Sequence, residues 1–435
     1  MSRLVQVKRL TSADAFLQHL DALGLALPFD DPPDLDGLRA PVVVAGSIAP
    51  NRFAVLPMEG WDATADGRPT SLVRRRWSRF GTSGAGLVWG GEAFAVRPEG
   101  RANPHQLCVG PSSAGDLAEL RSLLAPDQVT GLQLTHSGRW AVSSRPTRSE
   151  PLLDARRDGP LLTDDELDAL AEDYATAAAL AQRAGFDFVD VKACHGYLLH
   201  ELLSGQARPG RHGGDLEGRS RLLRAAVEGI RGTGMAVGVR LSVFDVMPQR
   251  ADPDGVGRPE AEGAFGFDEP LALLDLLDVD LVCVTAGSPY YCPHVQRPAY
   301  FPPSDGYQPP EDPLFAVARL LDACATLAAA RPEVTFVASG LTYLQEWVAP
   351  VASELVRTGG AALVGLGRMA LSYHDLPADV LAGRPLDRRR LCRTFSDCTT
   401  APRNGLVSGC WPLDDHYKGR PDRSVLVAAK RAGRG

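Results

Sequence analysis

Lysine is nearly missing from this sequence: Lys8, Lys192, Lys418 and Lys430 stand against an arginine majority in the 46 basic residues. With 53 acidic residues the formal net charge is −7, so no basic surplus exists to neutralise a phosphate backbone, and no nucleic-acid partner is expected. Apolar runs of the ~20 residues that cross a bilayer are absent, which removes a membrane-spanning helix from the expectations. The opening stretch Met1–Arg9 has no apolar segment of the kind that leads a chain to export. Eight cysteines spread over 435 residues do not make a small disulfide scaffold; reduced thiols and a cytoplasmic location are expected. No repeat of solenoid period and no low-complexity linker divides the chain. Two arginine runs, Arg74-Arg75-Arg76 and Arg388-Arg389-Arg390, read as solvated helix faces.

What is present is an alternation of short β-branched runs with longer Ala/Leu/Arg-rich segments of helical period, the pattern of βα units around a parallel sheet. The expected strands are Phe53–Met58, Gly86–Trp89, Gly131–Leu134, Asp187–Lys192, Ala236–Leu241, Leu281–Thr285, Thr335–Ala338 and Ala361–Val364. The clearest expected helices are Asp164–Ala184, Leu216–Arg231, Pro313–Ala330 and Leu344–Thr358, the first with Thr163 and Glu166 as a capping box. The fold class is therefore α/β, a (β/α)8 TIM barrel over residues 47–385. Residues 1–46 form an N-terminal extension, and 386–435 a C-terminal tail. The Pro- and aromatic-rich stretch Pro289–Pro313 is too long for a plain connector and reads as a lid or binding loop.

In such a barrel the active site forms at the carboxyl ends of the strands. The chemically unusual residues fall there: Pro57-Met58-Glu59, Gly91-Glu92-Ala93, Gln133, Lys192 with His195 and Tyr197, Arg240, Ser339-Gly340, and Gly367-Arg368. Glycines after strands seven and eight let backbone N–H groups approach an anion, and Arg368 adds charge-assisted bonds, which together suggest a phosphate. The alternative is that these glycines only make tight turns.

The chain resembles the Old Yellow Enzyme family of FMN-dependent oxidoreductases. The resemblance rests on Asn51-Arg52-Phe53…Pro57-Met58, Asp66-Gly67-Arg68-Pro69-Thr70, Gly84-Ala85-Gly86-Leu87 and Pro98-Glu99-Gly100-Arg101. It continues through Gln133-Leu134-Thr135-His136-Ser137-Gly138-Arg139, His195-Gly196-Tyr197-Leu198-Leu199-His200, Arg208…Gly213-Gly214…Arg219, Val239-Arg240 and Gly367-Arg368. The resemblance implies FMN, with the backbone at Pro57 and Met58 and Ala93 against the flavin ring and Gln133 on its pyrimidine side. It puts Arg240 near N1 and O2, and Gly340, Gly367 and Arg368 on the phosphate. Tyr197 is then the proton donor and His195 one of two substrate anchors. Each has a plainer alternative: a barrel-interior salt bridge for Arg240, packing at the mouth for Tyr197, a satisfied core histidine for His195.

Three positions depart from the family. Lys192 replaces the second anchoring histidine; it can bind a carbonyl oxygen and favour an enolate, prefer a carboxylate or phenolate, or simply pair with Asp190. Glu59 stands where a small or uncharged residue is usual. It can oppose flavin reduction, act as a base, or point away. In the tail, Cys398 and Cys410 keep the last interval of a Cys-x2-Cys-x3-Cys-x11-Cys iron–sulfur run, but Leu391 and Thr394 hold the first two places and Cys392 is displaced by one. Without four thiolates no cluster is expected; a three-cysteine zinc site is the alternative, and no metal is assigned. The chain ends before the nucleotide-binding domains of the larger relatives, so reductant is expected to bind over the flavin or come from another protein. The expected activity is NAD(P)H-dependent reduction of a small enone-like or cyclic unsaturated molecule, with a homo-oligomer possible. Substrate dehydrogenation by the same flavin is one alternative. A non-redox lyase or isomerase holding a phosphorylated substrate is another.

Overall fold

The computed structural model describes residues 4–155, 157–246, 259–261 and 264–432. Eight parallel strands close a ring: β1 (Phe53–Val55), β2 (Leu87–Val88), β3 (Val129–Thr135), β4 (Phe188–Ala193), β5 (Ala236–Ser242), β6 (Leu281–Thr285), β7 (Thr335–Ala338) and β8 (Leu363–Leu366). β1 pairs with β8 and β2, and β2 with β3, which seals the cylinder. The helices that follow the strands in turn are α1 (Ser71–Gly81), α2 (Ala114–Ser122), α3 (Asp164–Arg183), α4 (Leu216–Arg231), α5 (Asp268–Asp275), α6 (Leu314–Ala330), α7 (Val348–Arg357) and α8 (Leu376–Leu381). The expected (β/α)8 barrel is the fold.

Every strand of the expected eight is present; Leu281–Thr285 and Thr335–Ala338 keep the expected bounds, and the other six have shifted ends. β1 stops at Val55 because Pro57 has no N–H for the ladder. β3 runs straight through Gly131, where a Cβ would come 2.3 Å from the Phe188 ring; glycine lets that ring fill the barrel floor. β8 begins two residues later than expected and passes through Gly365. The Thr163–Glu166 capping box starts α3 as expected. α7 starts only at Val348, after a 3-10 stretch Leu341–Trp347 broken by Gln345 at φ +56.

Alternation along the strands separates two cores. In β4, Val189, Val191 and Ala193 face the helices, whereas Phe188 joins Ala54, Leu87, Val129, Leu281 and Leu363 inside the barrel. Further along the same inward row come Asp190 and Lys192, so the interior turns from apolar to charged towards the carboxyl end. The floor is closed by a hairpin, Val42–Val44 with Ser47–Ala49, which composition did not reveal; Val44 and Ala49 are part of the interior core. The N-terminal helix Ala13–Leu23 stacks Phe16 on Trp347 at 5.2 Å between centroids.

The tail crosses the opposite, carboxyl end of the barrel. Its helix α9 (Asp397–Arg403) is fastened to the Pro-rich insert. The Tyr300 N–H donates to Thr394 Oγ1 at 3.1 Å, Ser304 N–H to Thr400 Oγ1 at 3.1 Å, and Ser396 Oγ to the Phe301 carbonyl at 2.6 Å. The first arginine run is less solvated than expected. Arg76 is 4% exposed and lies between Asp62 and Glu92, both buried, at 2.5 and 2.7 Å, while Arg75 reaches Asp414 of the tail. The second run keeps Arg388 and Arg389 exposed but lies on a turn rather than a helix, with Arg388 on Glu346 and Arg390 on Asp375.

Candidate active site

A single cavity at the carboxyl ends of the strands gathers most of the singled-out residues. Its wall includes Pro57, Met58, Glu59, Gln133, Lys192, His195, Tyr197, Arg240, Gly340, Gly367 and Arg368. Its enclosed room is about 200 Å³, widening to about 1110 Å³ with the open mouth counted. Gly91 and Glu92 lie outside it, and of the residues the resemblance sets around a flavin Ala93 is the exception. It lies in a short strand, Ala93–Ala95, beside β3, paired with Gln133 and buried behind the wall.

The strand register sets the polar floor of this cavity. Asp190 pairs with Gln133 across β3–β4, and Lys192 with Arg240 across β4–β5. Gln133 Nε2 donates to Asp190 Oδ2 at 2.5 Å, and Arg240 N–H donates to Asp190 Oδ1 at 2.7 Å, so the carboxylate orients both neighbours. Burial pushes the Asp190 carboxyl up to about 6, against the hydrogen bonds from Gln133 and Trp89. With both Asp190 oxygens engaged in this way, the expected alternative of a Lys192–Asp190 pair is not realised.

Lys192 instead meets Glu59, Nζ to Oε1 at 2.6 Å, while Trp61 Nε1 donates to Glu59 Oε2 at 3.0 Å. The two departures from the family are thus each other's partners. Glu59 does not point away; it faces the cavity beside the 3% exposed Lys192 side chain. Nζ also lies 4.1 Å from the centre of the Tyr197 ring, a cation–π contact. The Glu59–Trp61 segment is held from below, since Gly60 N–H donates to Glu92 Oε2 at 2.7 Å and Glu92 is fixed by Arg76.

His195 and Tyr197 are presented by a backbone reversal at the end of β4. His195 has φ +65, uncommon for a residue with a side chain, and Gly196 follows at φ +75. A Cβ on Gly196 would come 2.7 Å from Ser288 Oγ, the hydroxyl that donates to the His195 carbonyl at 3.0 Å. The His195 ring contacts the Gln296 amide at 2.9 Å; burial, then Arg240 and Lys192, drive its pKa well down, so the imidazole is neutral. Tyr197 Oη is 3.2 Å from Tyr290 Oη, and Tyr290 stacks on Trp140 at 3.9 Å. Burial, reinforced by Glu59, raises the Tyr197 phenol well above its ordinary value and keeps it protonated.

Of the cavity's four arginines, Arg403 is paired with Asp305, whereas Arg240 and Arg368 have no counter-ion among the described residues. The salt-bridge alternative for Arg240 therefore falls away. Arg240 Nε and Arg368 Nη1 are buried without hydrogen-bond partners. Around Arg368, Gly340 holds φ +89, and a Cβ on Gly367 would meet only Met58 Sδ, at 3.3 Å. A ligand carrying an anionic tail beside Arg368 and an electron-rich edge at Arg240 would satisfy these groups, and a flavin mononucleotide has both.

Sequence reasoning named Ser339 but passed over much of the other half of the wall: Trp61, Tyr290, Gln296, Arg297, Thr342, Thr399 and Arg403. Five of these belong to the Pro-rich insert or the tail, segments without periodicity, and only the insert's length gave a signal. Cys392, Cys398 and Cys410 converge on one small void beside Arg368; all are free thiols, and no metal-holding group of His, Cys, Asp or Glu occurs among the described residues.

Residues 38–270, just over half of the chain, match the NADH:flavin oxidoreductase / NADH oxidase family. The chain belongs to this family. FMN is the family's cofactor, with NAD(P)H as reductant. Among curated members, an NADH:flavin oxidoreductase of Gibberella zeae is 28% identical over 281 residues, covering 57% of this chain and 66% of that protein. An NADPH dehydrogenase of Halalkalibacterium halodurans is 30% identical over 198 residues, covering 43% and 58%. The matched regions thus span about three-fifths of these relatives' lengths. Among solved structures, a 2-naphthoyl-CoA reductase in complex with 2-naphthoyl-CoA superposes with TM-score 0.70 at 18% identity, covering 88% of this chain and 58% of that one. An old yellow enzyme homologue from Zymomonas mobilis gives 0.59 at 21% identity, covering 80% and 94%. At such identities the structural likeness attests the family's barrel.

Proposed function

We propose that this protein is an FMN-dependent oxidoreductase that uses NAD(P)H to reduce an activated double bond in a small enone-like or cyclic unsaturated substrate. The observation that carries the reading is the meeting of Tyr197, Lys192 and Arg240 in one cavity with Arg368 at the same rim. Arg240, Gln133 and the Pro57–Met58 backbone would hold the ring system, and Gly340, Gly367 and Arg368 the phosphate. When bound, the flavin supplies the hydride.

The side chains divide the remaining work. Arg240 places a fixed positive charge at the edge where negative charge develops. The Lys192 ammonium and the neutral His195 ring can donate to a substrate carbonyl oxygen and favour its enolate form. Glu59 keeps the ammonium in place and offsets its charge. The Tyr197 hydroxyl, protonated across the working range, gives its proton to the α carbon. Tyr290, backed by Trp140, and Trp61 supply flat apolar surface for a ring.

A second reading, oxidation of the substrate with electrons passed onward, draws support from a carboxylate, Glu59, inside the cavity. Stopped-flow mixing separates the two: rapid bleaching of the flavin by NADPH and reoxidation by an enone support the first, bleaching by substrate alone the second. Identification of the chromophore released on denaturation tests the common premise, and a colourless protein that takes up no flavin defeats both. The eight free thiols and negative net charge favour a reducing, cytoplasmic setting and a small-molecule rather than nucleic-acid partner.

A further inference from the structure

Arg297 is a cationic wall residue that no family motif anticipates, and unlike Arg403 it has no carboxylate partner among the described residues. It follows the short helix Pro293–Gln296 in the Pro-rich insert and lines the cavity beside Arg368. One arm is accounted for: Nη1 donates to Thr399 Oγ1 of the tail helix α9 at 2.5 Å. The other, Nη2, is buried without a partner, as is Nη1 of Arg368. Arg368 in turn donates Nη2 to the Pro298 carbonyl at 2.7 Å, so the stretch of insert that carries Arg297 also braces Arg368.

Two like charges brought together without a carboxylate repel, and each keeps a free donor. A phosphate dianion supplies two negative charges and several acceptor oxygens, so it can satisfy both donors and cancel both charges. The wall around them, Gly340, Thr342 and Gly367 with Ser339, is uncharged and hydrogen-bonding, which suits a phosphate and leaves the charge balance to the arginines.

We propose that Arg297 joins Arg368 as a second guanidinium on the FMN phosphate, and that its bond to Thr399 makes seating of α9 over the cavity depend on that phosphate. This rests on the flavin reading above. Burial and the neighbouring Arg368 lower the Arg297 pKa to about 9, and an anion placed between the two guanidiniums would oppose both effects. The tail would then act as a phosphate-sensed cover: the phosphate fixes Arg297 in the cavity wall, Arg297 holds Thr399, and α9 stays seated.

The test compares FMN with riboflavin, which shares the ring system and lacks the phosphate. Affinities are read by flavin fluorescence quenching for the wild type, Arg297→Ala and Arg297→Lys, and amide hydrogen exchange is followed across 394–404 with each flavin. The expected result is a loss of FMN affinity of roughly 10- to 100-fold in Arg297→Ala, partly recovered in Arg297→Lys, with riboflavin affinity changed less than about threefold. Exchange in 394–404 should be slower with FMN than with riboflavin in the wild type, and the difference should vanish in Arg297→Ala and in Thr399→Val. Equal losses for both flavins, or no loss for FMN, would overturn the phosphate role. Protection of the tail that ignores the phosphate would overturn the coupling. Flavin binding that persists in either case leaves the flavin reading standing, whereas uptake of neither flavin by the wild type removes both.

Discussion

The Glu59–Lys192 pair shows how two residues that look anomalous one at a time become a unit. An ionised carboxylate near a flavin disfavours its reduction, and an ammonium favours it; at several ångströms in an effective dielectric of about 20 either is worth ~1–3 kcal/mol. Lys192→Ala is therefore expected to keep FMN but lower its midpoint potential by roughly 20–60 mV for the two-electron couple. Glu59→Gln should raise it by a similar amount, and the double variant should return close to the wild type, as spectroelectrochemical titration would reveal. Independent, additive shifts in only one direction would dismiss the pair as a tuning device. Tyr197→Phe is expected to slow the step that consumes reduced flavin by about 100-fold or more and to leave reduction by NADPH unchanged in stopped flow. With Tyr197 protonated well past its ordinary range and His195 neutral, that consuming step should be flat between pH 7 and 9. A limb in this window that disappears in His195→Ala would contradict the neutral imidazole.

Among elements, the segment after β1 matters most, because it carries Met58, Glu59 and Trp61 yet makes few ladder hydrogen bonds. Its support is the buried set of Arg76 from α1 with Asp62 and Glu92. Removing one member of such a set strands the others in a dry site, at a cost of about 3–5 kcal/mol. Arg76→Ala should lower the melting temperature by several degrees and shift the Trp61 emission, whereas Arg75→Ala, on the half-exposed flank of the same helix, should cost far less; calorimetry on the two variants makes the comparison. The arginine run gave no hint of this division, because helical phase alone does not say which face meets a second element. The Pro-rich insert was recognisable as a binding loop by length, but its partner, α9, was not, since the bonds joining them connect residues about a hundred positions apart.

At the scale of the whole molecule, a cavity with uncompensated arginines places part of the stability in the ligand. Saturation with FMN at about 1,000 times its dissociation constant should add ~4 kcal/mol, so the loaded protein should melt several degrees above the stripped one, by scanning calorimetry. Asp190, buried under this cavity, adds a pH term to the stripped protein. Its folded pKa of about 6 exceeds the ordinary 3.8, so between those values the native state holds a proton that the unfolded chain has released. That contribution is present in acid and is lost as pH rises through about 6, up to roughly 3 kcal/mol; Asp190→Asn should flatten the slope of urea stability against pH over this range.

The barrel, its eight strands and most of the inward-facing site were already settled by the sequence. Strand alternation is local, and a residue two places along from a buried Phe188 must share its face whatever the rest of the chain does. Gln133, Lys192, Arg240 and Arg368 could therefore be set on one rim before any coordinates. What Lys192 pairs with, whether Arg240 is neutralised, and which tail residue covers the cavity were decided by the tertiary structure alone. Those outcomes depend on distances between strands β1 and β4 and between the insert and the tail, which neither period nor composition encodes.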